Sequence, residues 1–208
     1  TAQKRAQSLQ DVPISMTVLG EEQLEKSRIR SLFDLQQSVP NFEAAALPGT
    51  PAITVRGVGG GGRNIGFDTR VGVYLDGIYV GQAQALNQPL FDIEQIEVLR
   101  GPQGHLFGRN TVAGAVNITT RAPSKEFEGS LRAVLGNYGA VEGYATFSGP
   151  LSDKVLAKFS IASEDRDGYS TNKFNNSKID DLKRLTTRGQ LSFPVSDKLK
   201  INLYGDYS

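Results

Sequence analysis

The sequence contains no cysteine and a single histidine, His105. The absence of cysteine excludes a disulfide scaffold, a thiolate metal site and a cysteine nucleophile, and it is compatible with an exported protein. With one histidine the chain cannot form a histidine-rich metal site, and a Ser/His/Asp triad could use only His105. These absences argue against metal-dependent and triad-dependent chemistry.

An excess of charge of one sign is also missing. Lys plus Arg total 23 against 22 for Asp plus Glu, a net charge of +1, so no global field attracts nucleic acid or anionic lipid, and we expect no nucleic-acid partner. No run approaches the roughly 18 apolar residues of a membrane-spanning helix. The first residues lack the basic and apolar regions of a signal peptide, so either the protein is cytosolic or Thr1 is not its native start.

Residues 1–122 mix short strand patterns with short helix patterns. Helices are predicted over 20–27, where acidic residues open a run of helix formers, and from Ser31 to Pro40, where Ser31 and Asp34 resemble a capping box. Asp76-Gly77 between two apolar runs is a strong hairpin signal. Strands are predicted at 13–18, 52–57, 71–75, 78–80, 96–100 and 115–120. This region is therefore predicted to be a compact α+β unit.

Two glycine-rich stretches invite a nucleotide-binding interpretation. Residues 57–62 match GxGxxG after a strand, with Asp76 near the spacing of a ribose-binding acid, but the following GGRNIGFDTR has no helical period. Residues 104–110 fail as a phosphate-binding loop, because Arg109-Asn110 stands where Lys and Ser/Thr are needed. His105 is predicted to be a solvent-exposed loop residue. A soluble nucleotide-binding enzyme therefore stays only as a remote alternative.

From Glu126 onward the sequence alternates apolar and polar residues with period two. In VLAKFSIAS, for example, Phe159 and Ile161 share one face while Lys158 and Ser160 share the other. Five strands of this kind are predicted near 127–136, 139–149, 154–164, 183–193 and 198–208.

The connections between these strands are short at one end and long at the other. PLSDK and its near-copy PVSDK make tight turns, whereas the polar segment 164–183 joins the third and fourth strands. This asymmetry is typical of outer-membrane β-barrels, and strands of about ten residues suit a tilted bilayer crossing. The alternative is a soluble antiparallel sandwich, although its strands are usually shorter. Because five strands cannot close a membrane barrel, we expect a part of a longer protein.

The segment IEQIEVLRGPQGHLFGRNTVAGAVNITT resembles the most recognisable part of the plug domain of TonB-dependent outer-membrane receptors. ITVRGVG, VGVYLDGIYVG and RAQSLQDVPISMTVLGEEQL resemble further plug segments. The resemblance implies an α+β plug domain over 1–122, followed over 123–208 by antiparallel transmembrane strands of an incomplete barrel of about 22 strands.

The same resemblance implies a function without covalent chemistry, and so not an enzyme: energised import across the outer membrane of a Gram-negative bacterium. The ligand would be scarce, most often a ferric siderophore, and the partners would be TonB with its inner-membrane energising complex, together with outer-membrane lipid. No cofactor or metal site is implied. A signal-transducing receptor and a carbohydrate or cobalamin importer are the alternatives.

The resemblance also assigns site residues. Arg56 and Arg100 match plug arginines that meet barrel glutamates in a buried charge cluster. Those glutamates would lie beyond Ser208, so both arginines are expected to be unpaired or hydrated here; without the family, they would be two exposed arginines at strand ends. Gly101, Pro102, Gly104, Gly108 and Arg109 are predicted to form a structural loop. The connections 44–51, 60–68 and 81–87 are predicted outward apices, with these ligand-facing residues: Arg63, Asn64, Phe67, Asp68, Gln82, Gln84 and Asn87.

Overall fold

The computed structural model describes residues 14–47, 50–59, 69–81, 86, 88–196 and 199–208. The chain divides into two compact units, Thr1–Arg121 (unit 1) and Ala122–Ser208 (unit 2). Among the described residues, no helix is long and apolar enough to cross a membrane.

Unit 1 is built on a five-stranded mixed sheet whose order is β1-β7-β8-β5-β6. Its strands are β1 (Met16–Gly20), β5 (Val71–Leu75), β6 (Ile78–Tyr79), β7 (Ile93–Arg100) and β8 (Gly114–Thr120). All neighbours are antiparallel except β5 and β8, which run parallel. A separate three-stranded sheet contains β2 (Phe42–Leu47), β3 (Thr50–Val55) and β4 (Val58–Gly59).

The helices of unit 1 are short, and two of them contribute buried side chains to its main apolar core. The helices are α1 (Glu21–Lys26), a 3₁₀ helix (Leu32–Gln37) and α2 (Gly104–Phe107). Leu24 of α1 and Leu35 of the 3₁₀ helix join Ile96 and Val98 of β7 in the main apolar core. Leu99 points to the other face, where a smaller cluster forms, so β7 is buried on both faces.

The predicted turn signals act as expected. The Asp34 carboxylate accepts hydrogen bonds from the Ser31 N–H at 2.8 Å and the Ser31 hydroxyl at 2.9 Å, which confirms the capping box, although the helix it starts is 3₁₀. Asp76 and Gly77 have φ of 49° and 81°, as a two-residue hairpin turn requires.

Several boundaries differ from the sequence prediction. The strand predicted to run to Gly57 ends at Val55, because Arg56 and Gly57 both take positive φ (53° and 75°) and turn the chain into β4. The prediction of an outward connection over 44–51 is wrong for most of that range, because 44–47 belong to β2 and 50–51 to β3. Strand β2 was not predicted, since its sequence FEAAAL is rich in alanine, and it forms through pairing with β3. The predicted loop at Gly104 and His105 forms the one-turn helix α2.

Unit 2 is one antiparallel sheet of five strands in the order β15-β14-β11-β10-β9. The strands are β9 (Glu128–Leu135), β10 (Val141–Ser152), β11 (Val155–Arg166), β14 (Leu182–Ser196) and β15 (Leu199–Tyr207). The long connection after β11, predicted as a polar loop, contains a small hairpin of β12 (Ser170–Thr171) and β13 (Lys178–Ile179). The sheet is open, with β9 and β15 at its edges.

Burial in unit 2 is the reverse of that in a soluble sheet. The apolar side chains Leu131 and Phe147 are 85% and 63% exposed, whereas the polar Ser160 and Arg188 are 0% and 3% exposed. A soluble sandwich buries its apolar face, so this alternative is wrong. An exposed apolar face opposite a buried polar face is the pattern of an outer-membrane barrel wall.

Candidate functional site

Arg100, one of the two predicted cluster arginines, lies at the end of β7 and is partly buried. Its Nη1 donates to the Ser15 hydroxyl at 3.4 Å and its Nη2 donates to the Thr17 hydroxyl. Its Nε is buried without a hydrogen-bond partner among the described residues. The Arg100 guanidinium thus has two hydroxyl acceptors, one just before β1 and one within it, which the expectation of an unpaired or hydrated side chain did not include.

Arg56 has a different environment. It is exposed in the turn after β3, and its backbone N–H donates to the Asn41 carbonyl at 2.8 Å. Within the described part of the chain, neither Arg56 nor Arg100 forms an ion pair with a carboxylate. Arg56 thus follows a strand of the three-stranded sheet, whereas Arg100 is the last residue of a strand of the five-stranded sheet; within the described residues only Arg100 has side-chain hydrogen bonds.

The loop after β7 closes on itself through backbone bonds. The Gly101 N–H donates to the Ala113 carbonyl and the Gln103 N–H donates to the Thr111 carbonyl, both at 2.9 Å. Gly101 and Gly108 have φ of 95° and 81°, values that favour glycine. The loop thus has a fixed conformation of its own, while Pro102, Gly104, His105 and Arg109 stay exposed.

An aromatic group secures this loop to the sheet, and the sequence analysis missed it. The Tyr74 hydroxyl donates to the Phe107 carbonyl at 2.6 Å, and the Tyr74 ring centroid lies 4.9 Å from that of Phe107 and 5.5 Å from that of Tyr79. The Asn110 amide donates to the Tyr79 hydroxyl at 2.9 Å. Burial, and then the neighbouring Tyr79, raise the pKa of Tyr74. Tyr74 meets Tyr79 across the predicted hairpin, whereas its contact with Phe107 joins residues 33 positions apart, which no local pattern reports.

The centre of the sheet holds a buried carboxylate. Glu97 is 2% exposed, and its oxygens accept from the Asn117 amide at 2.8 Å and from the Gln95 amide at 3.3 Å. No cluster of three or more His, Cys, Asp or Glu able to hold a metal occurs in the described ranges.

The seven predicted ligand-facing residues lie outside the described residues. Their assignment stays a prediction that rests on the resemblance. They are Arg63, Asn64, Phe67, Asp68, Gln82, Gln84 and Asn87.

The buried polar face of unit 2 carries paired charges. Arg184 donates through Nε at 2.8 Å and also through Nη2 to Glu164, whose other oxygen lies 2.9 Å from the Tyr144 hydroxyl. Arg188 Nε donates to Asp206 at 2.6 Å. Since isolated buried charges are costly, pairing across neighbouring strands is how this face tolerates them.

Comparison with known proteins gives the family. Residues 8–115 match the TonB-dependent receptor plug domain. The chain therefore belongs to the TonB-dependent receptors, and it carries their plug domain followed by antiparallel strands.

Two curated relatives show how far the similarity in sequence extends. The iron-regulated outer membrane virulence protein of Vibrio cholerae is 33% identical over 169 residues, which are 74% of this chain and 25% of that protein. The vitamin B12 transporter BtuB of Vibrio vulnificus is 31% identical over 139 residues, which are 63% of this chain and 21% of that protein. The chain thus spans about a quarter of the length of these relatives.

Solved structures of similar proteins share the fold. Pseudomonas aeruginosa FpvA bound to heterologous pyoverdines superposes with a TM-score of 0.80 at 19% identity, covering 99% of this chain and 26% of that one. The ferric yersiniabactin uptake receptor FyuA of Yersinia pestis gives a TM-score of 0.73 at 24% identity, covering 86% of this chain and 28% of that one. At these identities the likeness establishes the fold alone.

Proposed function

We propose that the whole protein is an outer-membrane receptor of a Gram-negative bacterium that imports a ferric siderophore with energy delivered by TonB and its inner-membrane complex. The observation that carries the proposal is the plug family match together with the iron-regulated relative. The reversed burial of unit 2 supports it, because an exposed apolar face suits lipid contact. We assign the plug to residues 1–122 and the start of the barrel wall to 123–208.

The chemistry of this function is binding and movement. A ferric siderophore is a polar chelate, and the seven apex residues, Arg63, Asn64, Phe67, Asp68, Gln82, Gln84 and Asn87, would supply the charge, amides and aromatic surface that such a ligand needs. The loop over Gly101–Arg109 would keep one conformation during ligand binding, since its backbone bonds and the Tyr74 hydroxyl hold it.

Arg56 and Arg100 would meet carboxylates of the remaining barrel strands. A guanidinium carries five N–H donors, and the described contacts of the Arg100 guanidinium use two of its nitrogens while its Nε has no partner there. A bidentate carboxylate would accept from two of the three remaining donors. Arg56 is exposed and free to turn toward a similar group.

Cobalamin import is the second candidate, favoured by the relative BtuB. A growth assay separates ferric-siderophore import from cobalamin import. A strain that lacks the gene is compared with one that expresses it, first on ferric siderophores as the sole iron source and then on cyanocobalamin as the sole cobalamin source. Gene-dependent iron uptake that stops when the proton-motive force is collapsed supports the first proposal. Gene-dependent growth on cyanocobalamin alone supports the second, and no gene-dependent growth on either contradicts both.

A further inference from the structure

The exposed apolar face of unit 2 contains a row of glycines and phenylalanines that crosses all five strands. Each member is the direct strand partner of the next, in the order Gly129, Phe147, Phe159, Gly189 and Gly205. Glycine weakens a strand, and it often marks a place where another molecule approaches the backbone closely. What covers these glycines therefore decides what this part of the sheet can bind.

Aromatic rings of the chain cover some glycines of this face and leave others bare. A Cβ atom built on Gly149 would lie 2.5 Å from the ring of Phe127, so this ring lies over the glycine and restores packing there. Gly189 and Gly205 differ, because no heavy atom of the described residues beyond their chain neighbours lies within 4 Å of a Cβ built on either one. The face is therefore open over two neighbouring strands.

A groove of about 840 Å³ surrounds the two bare glycines. It extends into the next row on the same face, where Ala157, Leu191 and Leu203 are successive strand partners. Phe159 and Leu203, which line it, are 49% and 55% exposed. Sites for small molecules have volumes of roughly 300–1,000 Å³ and mostly apolar walls. The groove thus has the size and lining of a ligand site.

The chemistry of the groove favours a hydrocarbon occupant. Lys158 and Gln190 alternate with its apolar lining residues and are 4% and 3% exposed, because their side chains belong to the buried polar face. The groove is continuous with the exposed apolar face, which suits lipid contact. An acyl chain in the groove contacts walls on both sides and the glycine backbone beneath, and each added contact contributes dispersion attraction. A lipid chain therefore binds better here than on the flat part of the face.

The position of the groove along the strands indicates which lipid supplies the chain. Ala157 and Phe159 come shortly after Val155, where β11 leaves the short turn from β10. Short turns lie on the periplasmic side of outer-membrane barrels, and the periplasmic leaflet of that membrane is built of phospholipid. Gly189 lies in β14 between β11 and β15, so strands that follow Ser208 do not pair beside it. The groove at Gly189 is therefore complete within the described strands.

We propose that the groove over Gly189 and Gly205 binds one acyl chain of a phospholipid from the periplasmic leaflet. The proposal rests on the assignment of unit 2 to the barrel wall. It goes beyond ligand import, because the bound lipid is a resident part of the wall and is not transported. The site differs from the surrounding lipid contact in holding a chain in preference to the rest of the face.

Photocrosslinking of the purified full-length receptor in phosphatidylethanolamine vesicles tests the site. A trace of phosphatidylethanolamine with a diazirine on one acyl chain is added, and labelled residues are identified by mass spectrometry. Leu131 is the internal control, because it is more exposed than Leu203, 85% against 55%, and does not line the groove. We expect Leu203 to be labelled roughly tenfold more than Leu131, a preference of about 1.4 kcal/mol.

Filling the groove should remove this preference. Gly189→Leu combined with Gly205→Leu places apolar side chains in open space, and neither glycine has a positive φ, so the substitutions do not strain the strands. Gly143→Leu is the matched control, because Gly143 also has no neighbour within 4 Å of a built Cβ and does not line the groove. We expect equal labelling of Leu203 and Leu131 in the double variant and the wild-type ratio in the control. Gly189→Ala should give a partial loss and serves if the double variant does not fold.

Each other outcome has a definite meaning. Labelling of Leu131 equal to or above that of Leu203 in the wild type overturns the site, and so does a preference that survives filling of the groove. If lipid A abolishes the labelling of Leu203 and an equal amount of phosphatidylglycerol does not, the occupant is a lipopolysaccharide and the phospholipid is overturned. A dimer in native mass spectrometry that Gly189→Leu abolishes makes the groove an interface between two copies and overturns the lipid.

Failure of the barrel-wall assignment is recognised separately from failure of the groove. If unit 2 were not a membrane wall, Phe147→Arg would leave the stability of the receptor in vesicles unchanged, and no residue of the apolar face would be labelled. If only the groove fails, the whole apolar face is labelled according to exposure alone.

Discussion

Units 1 and 2 are both built on strands, but they bury side chains of different kinds. In β7 of unit 1, Ile96 and Val98 are fully buried, and the core around them is apolar. In unit 2 the buried face carries Ser160 and Arg188, and the face with Phe147 is exposed. Alternation therefore determines which residues share a face, whereas the surroundings of the strand determine which face is buried.

The largest effect should follow a cavity in unit 1. Ile96→Ala removes a fully buried side chain from the centre of the core, and we expect a loss of about 2–5 kcal/mol in stability of the plug. Protection of β7 and β8 amides in the full-length receptor measures it. Leu131→Ala in unit 2, where the side chain is 85% exposed, is the control and should leave plug protection unchanged.

A charge on the exposed face of unit 2 would sharpen the comparison further. Phe147→Arg should destabilise the full-length barrel in phospholipid vesicles by about 2–4 kcal/mol if Phe147 faces the bilayer centre. Phe174→Arg is the matched control, because Phe174 is 99% exposed in the hairpin connection outside the five-stranded sheet. Reversible urea unfolding measures both variants. Equal stability of the two would mean that the apolar face does not contact lipid.

The two units also differ in their ion pairs. Glu164→Gln leaves Arg184 beside a neutral amide on the buried face, and we expect the free energy of unfolding of unit 2 to fall by about 3 kcal/mol. This is the low end for a broken buried ion pair, because the Arg184 side chain is 23% exposed. Glu22→Gln in unit 1 breaks the ion pair with Lys26. The Lys26 and Glu22 side chains are 75% and 83% exposed, so this change should lower the free energy of unfolding by at most about 0.5 kcal/mol. Urea unfolding in vesicles and plug hydrogen exchange measure the two losses. Similar losses would contradict the buried polar face.

A further predicted effect concerns the pH dependence of plug stability. Because the folded-state pKa of Tyr74 is raised, its contribution to stability is complete below the ordinary tyrosine pKa of 10.0 and is lost as pH rises from there through the folded pKa. Tyr74→Phe should reduce this alkaline loss of plug stability and cost about 1 kcal/mol at neutral pH through the missing bond to Phe107. Hydrogen exchange of plug amides, measured as a function of pH in the wild type and the variant, gives both changes in stability. Tyr138→Phe in unit 2 is the control and should leave plug exchange unchanged. An unchanged alkaline slope would contradict the assignment.

Local signals in the sequence were sufficient for much of this fold. The Asp76-Gly77 turn, the capping box at Ser31 and the five long strands depend on neighbours within a few residues, and all were predicted. Strand β2 was not, because its alanines have no strand preference of their own and only pairing with β3 orders them. The reversed burial of unit 2 is different: alternation alone left a soluble sheet open, while the unequal connections and the family resemblance predicted the membrane strands that the fold confirms.

The candidate site was less predictable than the fold. Arg100 was identified from its motif, but its bonds to Ser15 and Thr17 join residues more than 80 positions apart, and no local pattern reports such a contact. The contact of Tyr74 with Phe107 depends in the same way on the pairing of distant strands. The ligand-facing residues stay predictions.

The pairing of β1 with β7 also has a consequence for how the chain folds. Met16 meets Leu99, whereas in unit 2 each long strand pairs with the next one along the chain, as Val141 does with Asp165. Closing a longer loop costs more entropy, and non-local pairing slows folding. As the chain emerges amino terminus first, β1 must wait unpaired until β7 has emerged. The unpaired edge and the apolar residues of β1 are then available to chaperones, and to other copies of the chain, for longer than those of any hairpin in unit 2.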